Sequence, residues 1–225
     1  MGISNFIELS MFSGATLILG RLGADVVAAH GIAINIGGFL FMVPLRGGMA
    51  SSVIVRNKIG EKNLVGARYS SFYSLKFGCA LAIINSIILL TFSDILVSFF
   101  TQDPNVMQLG IVLLMFAAFF QIADALVIGA QGSLRGYKVT LMPMFIMLIS
   151  FWIFALPFGY SLAVTEFWNV QLGAPGMWTG MCIGLFVCAA LMVWRMNYVT
   201  SKSLELEKKN LSFDEMTLDG FKLKL

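Results

Sequence analysis

The feature that most constrains this chain is a succession of long stretches almost free of charge, at about residues 1–20, 26–45, 77–95, 105–134, 139–164 and 175–195. About 20 mainly apolar residues in a helix cross the hydrocarbon core of a bilayer. Inside that core every backbone N–H and C=O must find a partner within the protein, which leaves helices or closed barrels. None of the stretches alternates with period two, so a barrel is not supported. The expected fold is an all-α integral membrane protein. It has a six-transmembrane-helix bundle over residues 1–198 and a charged cytoplasmic tail over 199–225.

Composition removes the alternatives. Charged residues make up 12% of the chain and hydrophobic ones 58%, with a mean hydropathy of +0.86. A soluble domain carries about 25% charged residues. Half that charge cannot cover a globule, so a soluble enzyme and a nucleic-acid binder are excluded, and lipid is the first expected partner. Cys79, Cys182 and Cys188 lie in apolar stretches without disulfide or CxxC spacing, and read as small packing residues. A single histidine, His30, rules out multi-histidine metal chemistry. The start, MGISNFIELS, lacks a basic region and carries Glu8, so it does not read as a signal peptide. No GxGxxG, Walker, HExxH or GxSxG motif occurs, and the acids have no nucleophile–base–orienter set, so neither an enzyme nor a cofactor is expected.

The basic residues set the orientation. Arg46, Arg56, Lys58, Lys62, Arg68 and Lys76 fall between the second and third spans, and Arg135 and Lys138 between the fourth and fifth. Arg195, Lys202, Lys208, Lys209, Lys222 and Lys224 follow the sixth. The third-to-fourth and fifth-to-sixth connections carry only acids: Asp94, Asp103 and Glu166. Of the 15 basic residues, Arg21 alone lies on the other side, offset by Asp25. Both termini are therefore expected in the cytoplasm. Pro157 with Gly159 predicts a kink in the fifth span, because proline removes a helical hydrogen bond and clashes with the preceding turn. Gly176, Gly180 and Gly184 place a small-residue stripe on one face of the last span, which lets another helix approach closely. In the tail, Leu204, Leu206, Leu211 and Phe213 offer an apolar edge to the membrane surface.

Charges inside the spans carry the functional signal. A carboxylate at the centre of a membrane helix costs about 2.5–3.5 kcal/mol on insertion scales. Asp124 lies eleven residues before Arg135, roughly 16 Å at helical rise, which puts it near the midplane. Glu8 lies in the first span beside Phe6, Ile7, Leu9 and Met11. No Lys or Arg inside a span is placed to neutralise either, so the pair calls for protons, a metal cation or an organic cation. A carboxyl held away from water can load and release H⁺. Carboxylate oxygens supplemented by carbonyls or hydroxyls can instead hold a hard cation such as Na⁺. The alternative is an interior acid that only hydrogen-bonds a neighbouring helix.

Phe120 precedes Asp124 by four residues and Phe12 follows Glu8 by four, so each ring shares a face with its acid and suits an organic cation. Phe41 and Asn35, both in the second span, are further candidate substrate or cation contacts; Asn35 also suits interhelical glue. His30 reads as an interfacial hydrogen-bonding residue near the outer end of that span. Asp103 in TQDPN can greet cations at the outer end of the fourth span. It can equally cap the helix that Pro104 begins.

Several segments in register resemble the multidrug and toxin extrusion family of secondary transporters, in its NorM-like branch. VVAAHGIAINIGGFLFMVPL looks like the second helix of that family's C-terminal half. FQIAD resembles the end of the family's tenth helix, and GSLRGYKVTLMPMF the connection to the eleventh. IGEKN and LGAPGMWTG match in kind and order, and the likeness runs from about Gly2 to Tyr198. The resemblance implies twelve helices in two six-helix lobes, alternating access, and export of organic cations or drugs in exchange for Na⁺ or H⁺. It places Glu8 and Asp124 at the acidic positions of the C-terminal lobe's cation site, with Na⁺ or H⁺ as coupling ion. Phe120 falls where some members carry tyrosine, and Gly31 where the pattern has glutamine after the histidine.

By the same resemblance the chain reads as a C-terminal half, from a truncated or split gene or an incomplete sequence. Its expected partners are an N-terminal six-helix lobe or a second copy, together with cationic small molecules, in a bacterial inner membrane. Parallel lobes about an axis along the membrane normal keep the homodimer open. A non-transporting remnant or assembly module is the alternative of a different class. A lipid-linked sugar flippase is disfavoured because no span carries an arginine for pyrophosphate.

Overall fold

The computed structural model describes residues 2–164 and 172–208, with side chains described between residues 6 and 205. Glu166 and the tail beyond residue 208, with Leu211 and Phe213, lie outside the described residues. The described chain is helical throughout, with no strand among those residues. The order is α1 (Gly2–Leu19), a 3₁₀ turn (Gly20–Leu22), α2 (Ala24–Gly60), α3 (Leu64–Thr91) and α4 (Ser93–Ser98). Then come α5 (Pro104–Gly136), α6 (Leu141–Leu148), π-helical turns (Ile149–Ala155), α7 (Leu156–Val164) and α8 (Gly173–Lys208).

Five of these segments are long and apolar enough to cross a membrane: α2, α3, α5, the α6-to-α7 rod and α8. Helix α1, at 18 residues, is about 27 Å long at helical rise. Several helices outrun the apolar stretches that announce them. α2 continues from the expected end near residue 45 to Gly60, and α3 begins at Leu64 rather than near 77. Hydropathy marks the portion that prefers lipid, whereas a helix propagates through charged residues that retain good helix propensity. The two helices meet in a tight turn. Lys62 takes φ 58°, and Asn63 caps α3 by accepting from the Gly66 N–H at 2.8 Å.

α5 is the axle of the bundle. It packs most extensively against α2, α3 and α8, and it buries Leu113, Leu114, Ala123, Ala130 and Leu134 completely. Small residues bring the backbones together: a Cβ on Gly132 would stand 2.2 Å from the Gly48 carbonyl oxygen of α2. Polar side chains tie the same helices where lipid offers no competing water. Asn85 Nδ2 of α3 donates to the Leu40 carbonyl at 3.0 Å, and the Ser86 hydroxyl reaches the Ala118 carbonyl at 2.6 Å.

The glycine stripe of the last span is a packing face. A Cβ on Gly180 would lie 2.3 Å from the Gly159 backbone, and one on Gly184 would lie 2.4 Å from the Ala155 Cβ. The partner is the α6-to-α7 rod at its irregular stretch. There the i→i+5 turns end at Ala155, two residues before Pro157, whose ring cannot donate to the preceding turn. α1 lies against this rod, and Trp152 Nε1 donates to Ser10 Oγ at 3.3 Å.

Candidate functional site

Glu8 on α1 and Asp124 on α5, the two acids singled out by their cost, line one cavity of about 180 Å³. α2 contributes Gly37, Gly38 and Phe41 to its wall, and α8 contributes Trp178. Asp124 is buried and Glu8 partly so, and they are close enough for their charges to interact. Among the described residues neither joins a salt bridge, the only one being Lys58–Glu61 at 2.8 Å. No lysine or arginine lines the cavity. One cation acts from a distance: Arg135, in the last turn of α5, lies within electrostatic reach of Glu8 while its guanidinium donates to Gln131 Oε1.

Aromatic rings form the apolar side of the cavity. The Phe12 and Phe120 centroids stand 5.7 Å apart, and Phe120 meets Trp178 edge-on at 6.2 Å. Ring faces and edges at such separations pack favourably, and a face left open to the cavity attracts a cation. Phe120 and Phe41 both line the cavity with the two acids.

Three other sequence candidates stand elsewhere. Asn35 is exposed and its amide donates to the Gly31 carbonyl of its own helix at 2.9 Å, away from the cavity. Asp103 is the N-cap of α5; its Oδ1 accepts from the Asn105 N–H at 2.9 Å ahead of Pro104. His30 is fully buried among the helices. Its Nδ1 accepts from the Trp178 indole N–H at 3.1 Å, and its Nε2 lies 3.2 Å from Thr16 Oγ1. An indole N–H only donates, so Nδ1 is the bare nitrogen and Nε2 carries the ring proton. Thr16 passes its own proton to the Phe12 carbonyl at 2.9 Å. This chain joins α8, α2 and α1 behind the cavity and leaves the imidazole neutral.

Sequence reasoning missed Gln121 and Trp178. Gln121 is three residues before Asp124, and so shares its face of α5; that spacing was the available signal. It is 3% exposed, and its Nε2 donates to the Gly37 carbonyl of α2 at 2.7 Å. Trp178 carried no local signal, because its role depends on α8 meeting α2. Among the described residues, no group of three or more His, Cys, Asp or Glu side chains converges on one point. A cation here would need neutral oxygens beside the two carboxylates.

A family model described as MatE matches residues 1–161. The chain belongs to the MatE family. Among curated relatives it is 37% identical over 205 residues to the probable multidrug resistance protein NorM of Oceanobacillus iheyensis, covering 91% of this chain and 45% of that protein. It is 34% identical over 202 residues to the probable NorM of Pasteurella multocida, covering 90% and 44%. To the multidrug resistance protein NorM of Aliivibrio fischeri it is 33% identical over 218 residues, covering 97% and 47%. The chain thus spans less than half the length of these relatives. Solved MatE structures share its fold. The outward-facing conformation of a multidrug resistance MATE family transporter superposes with a TM-score of 0.76 at 18% identity, over 88% of this chain and 44% of that one. The inward-facing conformation gives 0.74 at 15% identity, over 89% and 47%. This MatE chain is a multi-pass membrane protein of a transporter family.

Proposed function

We propose that the chain is one lobe of a secondary antiporter that exports organic cations or drugs in exchange for Na⁺ or H⁺. The carrying observation is the shared cavity: two carboxylates, no lining lysine or arginine, and aromatic rings on the facing wall. Two carboxylates in one cavity repel when both are ionised, so the site favours a proton, a metal ion or a cationic substrate over none. A coupling ion and a cationic drug that compete for the same negative charge exchange for one another. Alternating access then follows from differential affinity of each ligand for the two faces of the cycle.

The relatives named multidrug resistance proteins support this reading of the substrate class. Their greater length supports a second lobe as the partner that closes the substrate path. The basic residues on the α2–α3 and α5–α6 turns and on the end of α8 support cytoplasmic placement of those ends. A bacterial inner membrane fits the relatives' organisms. The test is drug efflux from cells expressing the two-lobed transporter that contains this chain. Asp124→Asn and Glu8→Gln are each expected to abolish resistance at normal membrane abundance. Wild-type resistance from both would refute the proposal.

A further inference from the structure

Where the later turns of α2 face the early turns of α3, the surface opens into a groove of about 620 Å³. It shares no lining residue with the acid cavity. Gly47, Ala50 and Ile54 form one wall, and Tyr69, Tyr73 and Phe77 the other. Small residues keep the α2 wall low. Gly48 is required by packing, since a Cβ there would stand 2.3 Å from the Ile128 side chain of α5, whereas one on Gly47 would meet nothing within 4 Å. Among the described residues no neighbour calls for a glycine at position 47. Its effect is to leave the groove open.

Depth and charge narrow what fits there. The apolar stretches end near residue 45 on α2 and begin near residue 77 on α3, so the groove starts at the hydrocarbon boundary and runs toward the headgroups. Tyr69 and Tyr73, one turn apart, are 77% and 68% exposed, and tyrosine gathers at that interface. From Arg46 to Lys76 the chain carries six basic residues and one acid, Glu61, which pairs with Lys58 at 2.8 Å. Arg46 precedes Gly47 and Lys76 precedes Phe77, both exposed, so each stands at the hydrocarbon end of the groove. Long basic side chains at such a boundary turn their charge toward the headgroups. Lys76 also follows Tyr73 by three residues and shares its edge of α3. Basic pockets between membrane helices hold anionic headgroups. A zwitterionic headgroup gains little from the same charges.

We propose that the α2–α3 groove is a binding site for an anionic phospholipid. Its phosphate is held by Arg46 and Lys76, and its glycerol and upper acyl carbons lie on the Tyr73 and Phe77 rings. The site stands apart from the acid cavity and is independent of which ion or drug is exchanged. Its leaflet follows from the cytoplasmic placement of the α2–α3 turn proposed above, whereas lipid binding measured in detergent does not depend on that placement.

The test is native mass spectrometry of the two-lobed transporter that contains this chain, titrated in detergent with phosphatidylglycerol or phosphatidylcholine. Wild type is expected to retain a tightly bound phosphatidylglycerol and to bind phosphatidylcholine roughly tenfold more weakly. Arg46→Gln combined with Lys76→Gln should weaken phosphatidylglycerol roughly 10–30-fold. Gly47→Leu, which fills the groove floor at unchanged charge, should weaken it by a similar factor. Arg56→Gln removes a charge two residues from Ile54, on the opposite face of α2, and should bind as wild type does. Equal affinity for the two lipids, or wild-type affinity in the double variant or in Gly47→Leu, would overturn the proposal. A loss in Arg56→Gln as large as in the double variant would overturn it too, by showing attraction to charge alone. The occupant is identified directly by p-benzoylphenylalanine placed at Tyr73 and irradiated in cell membranes. The expected adduct has the mass of an anionic phospholipid. An adduct to peptides of the second lobe would show that protein covers the groove, and would overturn the lipid site.

Discussion

The indole N–H of Trp178 donates to Nδ1 of His30 at 3.1 Å, with both rings fully buried. That single bond joins α8 to α2 directly behind the acid-lined cavity. It also fixes which nitrogen of the histidine carries the proton. An imidazolium would point an N–H at another N–H, so this histidine holds helices together and does not relay protons.

Trp178→Phe keeps an aromatic ring against Phe120 and removes the donor. The variant is expected to lose about 1 kcal/mol of stability, the worth of one hydrogen bond. In ¹⁵N NMR of histidine-labelled wild type, the ring should show the Nε2–H tautomer with a hydrogen-bonded Nδ1. A protonated Nδ1, or one that accepts no hydrogen bond, would contradict the geometry.

Much of this arrangement is legible in the sequence. The apolar stretches announce the helices, and the cost of an intramembrane carboxylate picks out Glu8 and Asp124, which lie on helices distant in sequence and prove to share one cavity. The burial of His30 was not legible, because hydropathy reports depth in the membrane and says nothing about which face of a helix meets protein. Asn35, three residues from Gly38 on α2, has an equally good claim by residue type and stands outside the cavity for the same reason. Helix ends were the other weak point, since α2 and α3 continue past the lipid-preferring portion.

The glycine contacts predict where volume is not tolerated. Gly180→Ala puts a methyl group 2.3 Å from the Gly159 backbone, which no side-chain rotation relieves. The expected loss is about 1–3 kcal/mol, read as a lowered melting temperature in detergent. Gly38→Ala, whose Cβ meets nothing within 4 Å, is the matched control and should melt as wild type does.

Phe120 faces both Phe12 and Trp178 and lines the cavity. Phe120→Ala removes a ring face, so the affinity for an aromatic cationic dye should drop by roughly 2–30-fold, the range of a cation–π contact. Phe120→Tyr retains the ring and should bind the dye within about twofold of wild type. Dye fluorescence anisotropy on the two-lobed transporter reads both.

Asn35→Ala separates residue type from position. The side chain is exposed and bonded only within its own helix, so the purified chain should keep its stability within about 0.5 kcal/mol. Its cation binding should be unchanged. A loss of binding equal to that of Asp124→Asn would move the site off the described cavity.

The central claim is that Glu8 and Asp124 couple cation entry to efflux, and proteoliposomes holding the two-lobed transporter test it most directly. Efflux of a cationic dye is followed with and without an inward Na⁺ or H⁺ gradient, for wild type, Glu8→Gln and Asp124→Asn. The account predicts that one of the two gradients accelerates wild-type efflux at least tenfold and that neither variant responds to it. Gradient-driven efflux at wild-type rates in both variants would contradict it.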